Sequence, residues 1–382
     1  MIKTETETKN ILNFLLETEK LKKIKRAVWA GSGIKNPETV AEHSFRMSIM
    51  SWVLAREAKE GLNFRKIIKI SLAHDLPWVF VKKKSGKKLA EDKKAFRQSL
   101  RLLPPHLRKD IYESYLEYEN SDSKEGKFVK QVDKIETFLQ TLEYLGAKPN
   151  VAVEVLKKDV RGSISSPHLL NFFSEIEKRF FENEKKTGDL DFFLEIGKLK
   201  KRIRESWTAK NIKIESAVAD DSFMLAMATW VFAPKRLNLE EMFKIGLIYE
   251  ICEAYIGEKS FLEKVFPGLF SKGDKEKLFK KDWRKKEAHV KKICRNCSPS
   301  FTNKIVDLWG KCKGRKTAEG NFINQLYWAM TMLELLERWK NDKKIFLRSW
   351  AKQMTYYIDN AIVLGFLNAM YEKYLNGKKQ IF

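Results

Sequence analysis

The chain has 382 residues, 43% of them hydrophobic, and 74 Lys and Arg against 50 Asp and Glu give it a net charge of +24. That length exceeds one ordinary core and predicts two domains, while the absence of any run near 18 consecutive apolar residues excludes a membrane-spanning helix. Four cysteines exclude a disulfide framework and fit a reducing cytoplasm, and the positive field favours anionic partners such as phosphates and nucleotides.

The opening MIKTETETKN is charged and lacks an apolar h-region, so no secretory signal is expected. Glycine and proline are scarce, 18 and 9, and the segments between them repeat apolar residues at helical spacing. In ILNFLLETEKLKKI, Ile11, Leu12, Leu15, Leu16 and Leu21 fall on one side. ETVAEHSFRM then sets His43 among apolar residues, IIKISLA ends on His74-Asp75, and FVKQVDKIETFLQTLEYL carries Asp133. No alternating strand stands out, and the fold class is all-α. The basic clusters KKIKR (22–26) and KKKSGKK (82–88) read as solvated faces. No aromatic-basic stripe singles out nucleic acid.

From residue 190 the chain repeats itself. Residues 12–55 align without a gap on 190–233, with 19 of 44 pairs identical, among them Arg26/Arg204, Trp29/Trp207 and Trp52/Trp230. KISLAHDLPWVF (69–80) matches KIGLIYEICEAY (244–255), and EGKFVKQVDKIETFLQTLEYL (125–145) matches EGNFINQLYWAMTMLELLERW (319–339). The chain therefore reads as a tandem duplication, one domain over 1–185 and a second over 186–382, joined near ENEKKTGD (182–189). The second copy carries about 19 extra residues within 258–318.

Burying His43, His74, Asp75 and Asp133 on apolar faces is expensive unless they are paired or hold a metal. Two imidazoles and two carboxylates suit a divalent ion of borderline hardness. The order H…HD…D, with NPETVAEHSFRM, HDLP and YLEYENSDSKEGKFVKQVDKIETFLQTLEY around it, resembles the HD superfamily of metal-dependent phosphohydrolases, and within it the 5′-deoxynucleotidase branch. The resemblance covers residues 8–150. It implies compact helical domains that remove the 5′-phosphate of deoxynucleoside monophosphates through a metal-activated water. It implies His43, His74, Asp75 and Asp133 as ligands of one divalent ion (Mn, Co, Mg, Ni, Fe or Zn). It also implies Arg26 and Asp75 in catalysis and Arg26 with Trp29 at the substrate, a guanidinium for the phosphate and an aromatic face for base or sugar.

Two positions depart from that pattern. The family reads HDLPE with a second acid five residues on; here the glutamate is Trp78 and the second acid is Lys83. Glu42 is the acid considered as a substitute. A metal cage without these acids has an alternative reading, a catalytically weak or inactive nucleotide-binding or regulatory protein. In the second copy Asp221, Tyr249-Glu250 and Tyr327 replace the ligand set, so no metal is expected there. Glu253 and Glu258 hold the two acid positions that the first copy lacks, which raises the possibility that they reach across to it. The branch tends to form homodimers, so the fused copies are expected to pair within one chain as a pseudo-dimer; a monomer so built, or a homodimer of it, fits. His289, Cys294, Cys297 and Cys312 form H-x4-C-x2-C-x14-C, a weak zinc pattern read mainly as reduced thiols.

Overall fold

The computed structural model describes residues 4–29, 32–80, 89–146, 151–184, 188–203, 216–255, 272–313, 315–341 and 358–375. Among them there is no strand, only two isolated bridges, Lys25 with Thr39 and Ile203 with Ala217. The all-α expectation holds. No described helix is long and apolar enough to cross a membrane.

Helix α1 (Glu5–Thr18) starts at a capping box, with the Thr4 side chain on the Glu7 amide and the Glu7 side chain on the Thr4 amide. The apolar spacing continues past its end to Leu21, but the backbone tightens into a 3-10 turn over Glu19–Lys22. Helix α2 (Val40–Ala55) opens at a second capping box, Thr39 with Glu42, and is buried along its whole length. Then follow α3 (Phe64–Ala73), α4 (Leu89–Ser99), α5 (Pro105–Asn120), α6 (Lys124–Leu145), α7 (Val151–Ser163) and α8 (Pro167–Phe181). The second copy supplies α9 (Asp189–Gly197), α10 (Val218–Phe232), α11 (Leu239–Ile248), α12 (Lys272–Ile293), α13 (Pro299–Lys313), α14 (Ala318–Asn341) and α15 (Ala361–Leu375).

The duplication reaches further in space than the aligned blocks. Gln131 Oε1 accepts the amides of Ser165 and Ser166 ahead of α8; Gln325 Oε1 accepts those of Asp359 and Asn360 ahead of α15. A Cβ on Gly126 would strike the Glu117 carbonyl, and one on Gly320 the equivalent Lys311 carbonyl. In both copies a glycine lets the long helix begin against its predecessor.

The copies pair about α2 and α10, which pack on one another, as do α3 and α11. Lys69 Nζ lies 5.6 Å from the Trp230 ring centroid, and Lys244 Nζ lies 5.6 Å from that of Trp52. Trp230 and Trp309 of the second copy are buried in packing. The first helices are exchanged. Helix α1 packs on α10 and α15 of the second copy, and α9 packs on α2 and α8 of the first. The chain is thus two tandem helical domains closed as a pseudo-dimer, and a lysine just after each copy's first helix, Lys22 or Lys200, reaches acids of the other copy.

Candidate metal centre

The capping box at Thr39 starts α2 so that His43 falls on its first turn, fully buried. Helix α3 ends at His74, which caps it, and Asp75 follows immediately. Asp133 sits midway along α6. One ligand atom each from His43, His74 and Asp75 lies within 4.8 Å of the others. Asp133 Oδ1 joins them, 2.9 Å from His43 Nε2. Three of the four residues that the sequence singled out therefore share one point, and the fourth, Asp133, stands against His43 beside it.

Each ligand type is oriented by a hydrogen bond behind it. His74 Nδ1 lies 2.8 Å from the Ser71 carbonyl oxygen, so Nδ1 donates and Nε2 is left as a lone pair. His43 Nδ1 lies 2.5 Å from Glu136 Oε2. Burial works against an ionised Glu136, yet Lys200, His43 and Arg46 hold it well below the carboxylate range, so the proton of that short contact belongs on the imidazole. Arg26 Nη1 is 2.8 Å from the same Nδ1, but two donors do not bond; its aligned partner is Thr137 Oγ1 at 3.0 Å. Tyr118 donates to Asp133 Oδ2 at 2.5 Å.

His43 Nε2, His74 Nε2 and Asp133 Oδ1 are buried with no aligned hydrogen-bond partner. The 2.9 Å between His43 Nε2 and Asp133 Oδ1 is a close approach of badly aligned groups, and polar atoms so placed are costly without a cation between them. The donor set, two imidazole nitrogens and two carboxylates, fits a divalent ion. With protons alone to serve that need, burial and Arg26 push the His43 imidazole down, Glu136 and Asp133 push it up, and it settles at about 9. Burial opposes ionisation of Asp133, but the His43 contact and then Arg26 carry its carboxyl far below the usual range.

Around these groups lies a layer of buried charges that the sequence reading missed. Arg46 Nε donates to Glu136 Oε1 at 2.8 Å, its Nη2 to Gln140 at 3.0 Å, and its Nη1 pairs with Glu143. Lys200, from the second copy, donates to Glu38 Oε2 at 2.5 Å, Glu136 Oε1 at 2.6 Å and Gln140 Oε1 at 2.8 Å. A charge three residues after Asp133 on the same helix face was the available signal for Glu136. Arg26 lies 3.7 Å from Asp133 Oδ1 and 3.5 Å from Glu38. Trp29 is buried, gives its indole N–H to Glu38 at 3.3 Å and meets Tyr144 edge-on at 5.0 Å.

Trp78, where the family pattern has glutamate, is 37% exposed and donates its indole N–H to Asp75 Oδ1 at 3.0 Å. Glu42 is engaged in the Thr39 cap at the copy interface, where Asp220 also meets Thr39. The turn carrying Glu253 packs on elements of its own copy, and no ion pair or hydrogen bond joins that acid to the first site among the described residues. Lys83, Glu258, Arg204 and Trp207 lie outside the described residues. His289 and the three cysteines are not gathered as a metal cluster among the described residues, and all four of the chain's cysteines are free thiols. In the second copy Tyr327 donates to Glu250 at 2.8 Å and stacks on Tyr249 at 4.3 Å, filling the place of the ligands.

The family described as HD domain matches residues 18–170 and again 196–363. The chain is 33% identical over 178 residues to the 5′-deoxynucleotidase HDDC2 of Bos taurus, covering 44% of this chain and 85% of that protein. For the Homo sapiens protein of the same name the identity is 32% over 178 residues, with the same coverage. A solved structure described as a conserved hypothetical protein from Pyrococcus furiosus is 27% identical, covers 44% of this chain and 98% of its own, and gives a TM-score of 0.36.

Proposed function

The chain belongs to the HD domain family, and we propose that its first copy is a divalent-metal phosphohydrolase that removes the 5′-phosphate of (deoxy)nucleoside monophosphates. One observation carries this reading: His43 Nε2, His74 Nε2 and Asp133 Oδ1 are buried without aligned partners, the two imidazoles gathered with Asp75 and the Asp133 oxygen against His43. The names of the relatives, 5′-deoxynucleotidases, support the substrate class.

His43, His74, Asp75 and Asp133 would hold the ion, which supplies Lewis acidity and charge neutralisation for attack of water on phosphorus. The protein's own groups do the rest. The Ser71 carbonyl and Glu136 fix the two imidazoles so that both Nε2 atoms face inward. Tyr118 keeps its proton, since burial and then Asp133 push its hydroxyl well up, and it pins Asp133 Oδ2. Arg26 is the guanidinium next to the ligands and would take the phosphate, with Trp29 behind it against Glu38. Trp78 braces Asp75 but carries no proton to exchange with a leaving alkoxide. That absence supports a slow enzyme.

The second copy, with Tyr249, Glu250 and Tyr327 in the ligand places, is read as a scaffold. The domain boundary is assigned to the stretch between α8 and α9, giving 1–185 and 186–382. Four free thiols support a reducing cytoplasm.

The test is phosphate release from a panel of 5′-deoxynucleoside and ribonucleoside monophosphates. Metal-stripped protein is reloaded with Mn, Co, Mg, Ni, Fe or Zn, and Asp75→Ala serves as the blank. Release that requires metal and disappears in the blank is expected. Silence across the panel with a metal stoichiometrically bound would favour a nucleotide-binding protein instead.

A further inference from the structure

Among the described residues the second copy gathers no metal cluster, yet it sends one side chain into the first. We infer that Lys200 is a positioning residue of the first copy's metal centre, supplied across the copy interface to fix Glu136 and, through it, the His43 imidazole. The inference rests on the metal-centre reading above and gives the second copy a role in it.

Lys200 Nζ is almost wholly enclosed, and its three oxygen partners, Glu38 Oε2, Glu136 Oε1 and Gln140 Oε1, all belong to the first copy. Glu136 is then pinned at both oxygens. Oε1 accepts from Lys200 at 2.6 Å and from Arg46 at 2.8 Å, while Oε2 faces His43 Nδ1 at 2.5 Å. A carboxylate held in this way has one orientation, and so does the ring that donates to it. Groups behind a metal-binding histidine typically change metal affinity by about 10–100-fold when removed.

The delivery of Lys200 is built into the fold. Helix α9 packs on α2 of the first copy, and the turn after it, anchored by fully buried Leu199, carries Lys200 inward. Gly197 allows the approach, because a Cβ there would stand 2.6 Å from Arg46 Nη1 and 2.9 Å from Glu143 Oε1. A larger residue would displace the arginine that shares Glu136 with Lys200.

The duplication supplies an internal comparison. Lys22 is the equivalent of Lys200 and crosses the other way, where its Nζ is 2.8 Å from Asp221 Oδ1 and 3.9 Å from Glu334 Oε1. The residue matching Glu136 is Met330, so no carboxylate there stands behind a histidine. Both lysines neutralise buried acids at the interface. Only Lys200 does so on the residue that carries a candidate ligand.

The experiment uses the full chain, stripped of metal, as wild type, Lys200→Met and Lys22→Met. Each is titrated with Mn²⁺ by calorimetry, and thermal unfolding of the stripped protein is recorded. Both variants are expected to unfold at lower temperature. Only Lys200→Met is expected to bind Mn²⁺ about 10–100-fold more weakly. Lys200→Gln is the second variant, should methionine leave the facing carboxylates too costly to fold; it keeps a donor, and a Mn²⁺ affinity below that of wild type is expected again. Wild-type affinity in a folded Lys200 variant would overturn the inference, as would equal weakening in Lys22→Met. Failure of both Lys200 variants to fold, with Lys22→Met folded, would make Lys200 a folding residue and overturn it too. A wild-type chain that binds no Mn²⁺ would instead sink the metal-centre reading itself.

Discussion

Lys22 of the first copy reaches Asp221 of the second at 2.8 Å, on the position that His43 occupies in the first copy. An ammonium therefore stands beside the place where a cation would be bound had the histidine been kept. The pair is nearly enclosed, with side chains 8% and 9% exposed. Burial pulls Lys22 down, but Asp221, Glu334 and Glu19 outweigh it and keep it charged.

One ion per chain follows from this arrangement. Asp221→His is not expected to create a second site, because Tyr249 and Tyr327 stack where further ligands would stand. Metal analysis of the dialysed Asp221→His chain should still give one ion, and two would contradict the assignment.

Metal should stabilise the fold through the first copy alone. At a hundred times its dissociation constant, a bound ion adds about 2.7 kcal/mol. Differential scanning of the stripped chain with and without Mn²⁺ should show that upward shift in wild type. His43→Ala should show almost none.

Arg46 is fully buried and satisfied by Glu136, Gln140 and Glu143. Arg46→Met is expected to cost about 3–5 kcal/mol, since it leaves carboxylates buried without their partner. Gly197→Ala should cost about 1–3 kcal/mol by pressing on the same guanidinium. Urea denaturation of the stripped proteins measures both, and a neutral Arg46→Met would contradict the account of this layer.

Asp220 and Glu42 face each other at the interface, where Thr39 Oγ1 donates to Asp220 Oδ1 at 2.7 Å. Burial raises both acids, and the Glu42 charge raises Asp220 further, against Lys22, Thr39 and the Ala217 amide. A group raised in the folded state contributes most when protonated. Its stabilisation is therefore complete below about pH 4 and is lost as pH rises through the folded value. Asp220→Asn keeps an acceptor and removes the charge, so it should be more stable than wild type at pH 8 by about 1 kcal/mol or more. It should also lose less stability between pH 5 and 8. Thermal unfolding across that range tests this, and a parallel pair of curves would contradict it.

Trp78→Glu restores the acid of the family pattern beside Asp75. General acid-base help is worth about 100–10,000-fold, so even a misplaced carboxylate should raise turnover at least tenfold. Unchanged turnover would show that the chemistry here does not need that group.

The tetrad was legible because His43, His74, Asp75 and Asp133 are ionisable groups on apolar helical stretches, a placement with few explanations. The duplication was legible because a shared core keeps identities such as Trp52/Trp230 and Val40/Val218 at fixed offsets. Lys200 was not legible. It lies in GKLKKR, a run that looks like a solvated face, and becomes internal only because α9 is exchanged onto the first copy. Glu136 and Arg46 were hidden for a related reason. Each looks like an ordinary charge on an amphipathic helix until its partner arrives from another element. The extent of α1 was overread because Leu21 continues the apolar spacing through a turn that is not α-helical.

The most direct measurement pairs metal content with phosphate release from 5′-deoxynucleoside monophosphates in the same samples of wild type, His43→Ala and Asp133→Asn. One ion per wild-type chain, with ion and phosphate release lost together in both variants, is the predicted result. Release that persists in His43→Ala without bound metal would contradict a metal-dependent phosphohydrolase centred on the first copy.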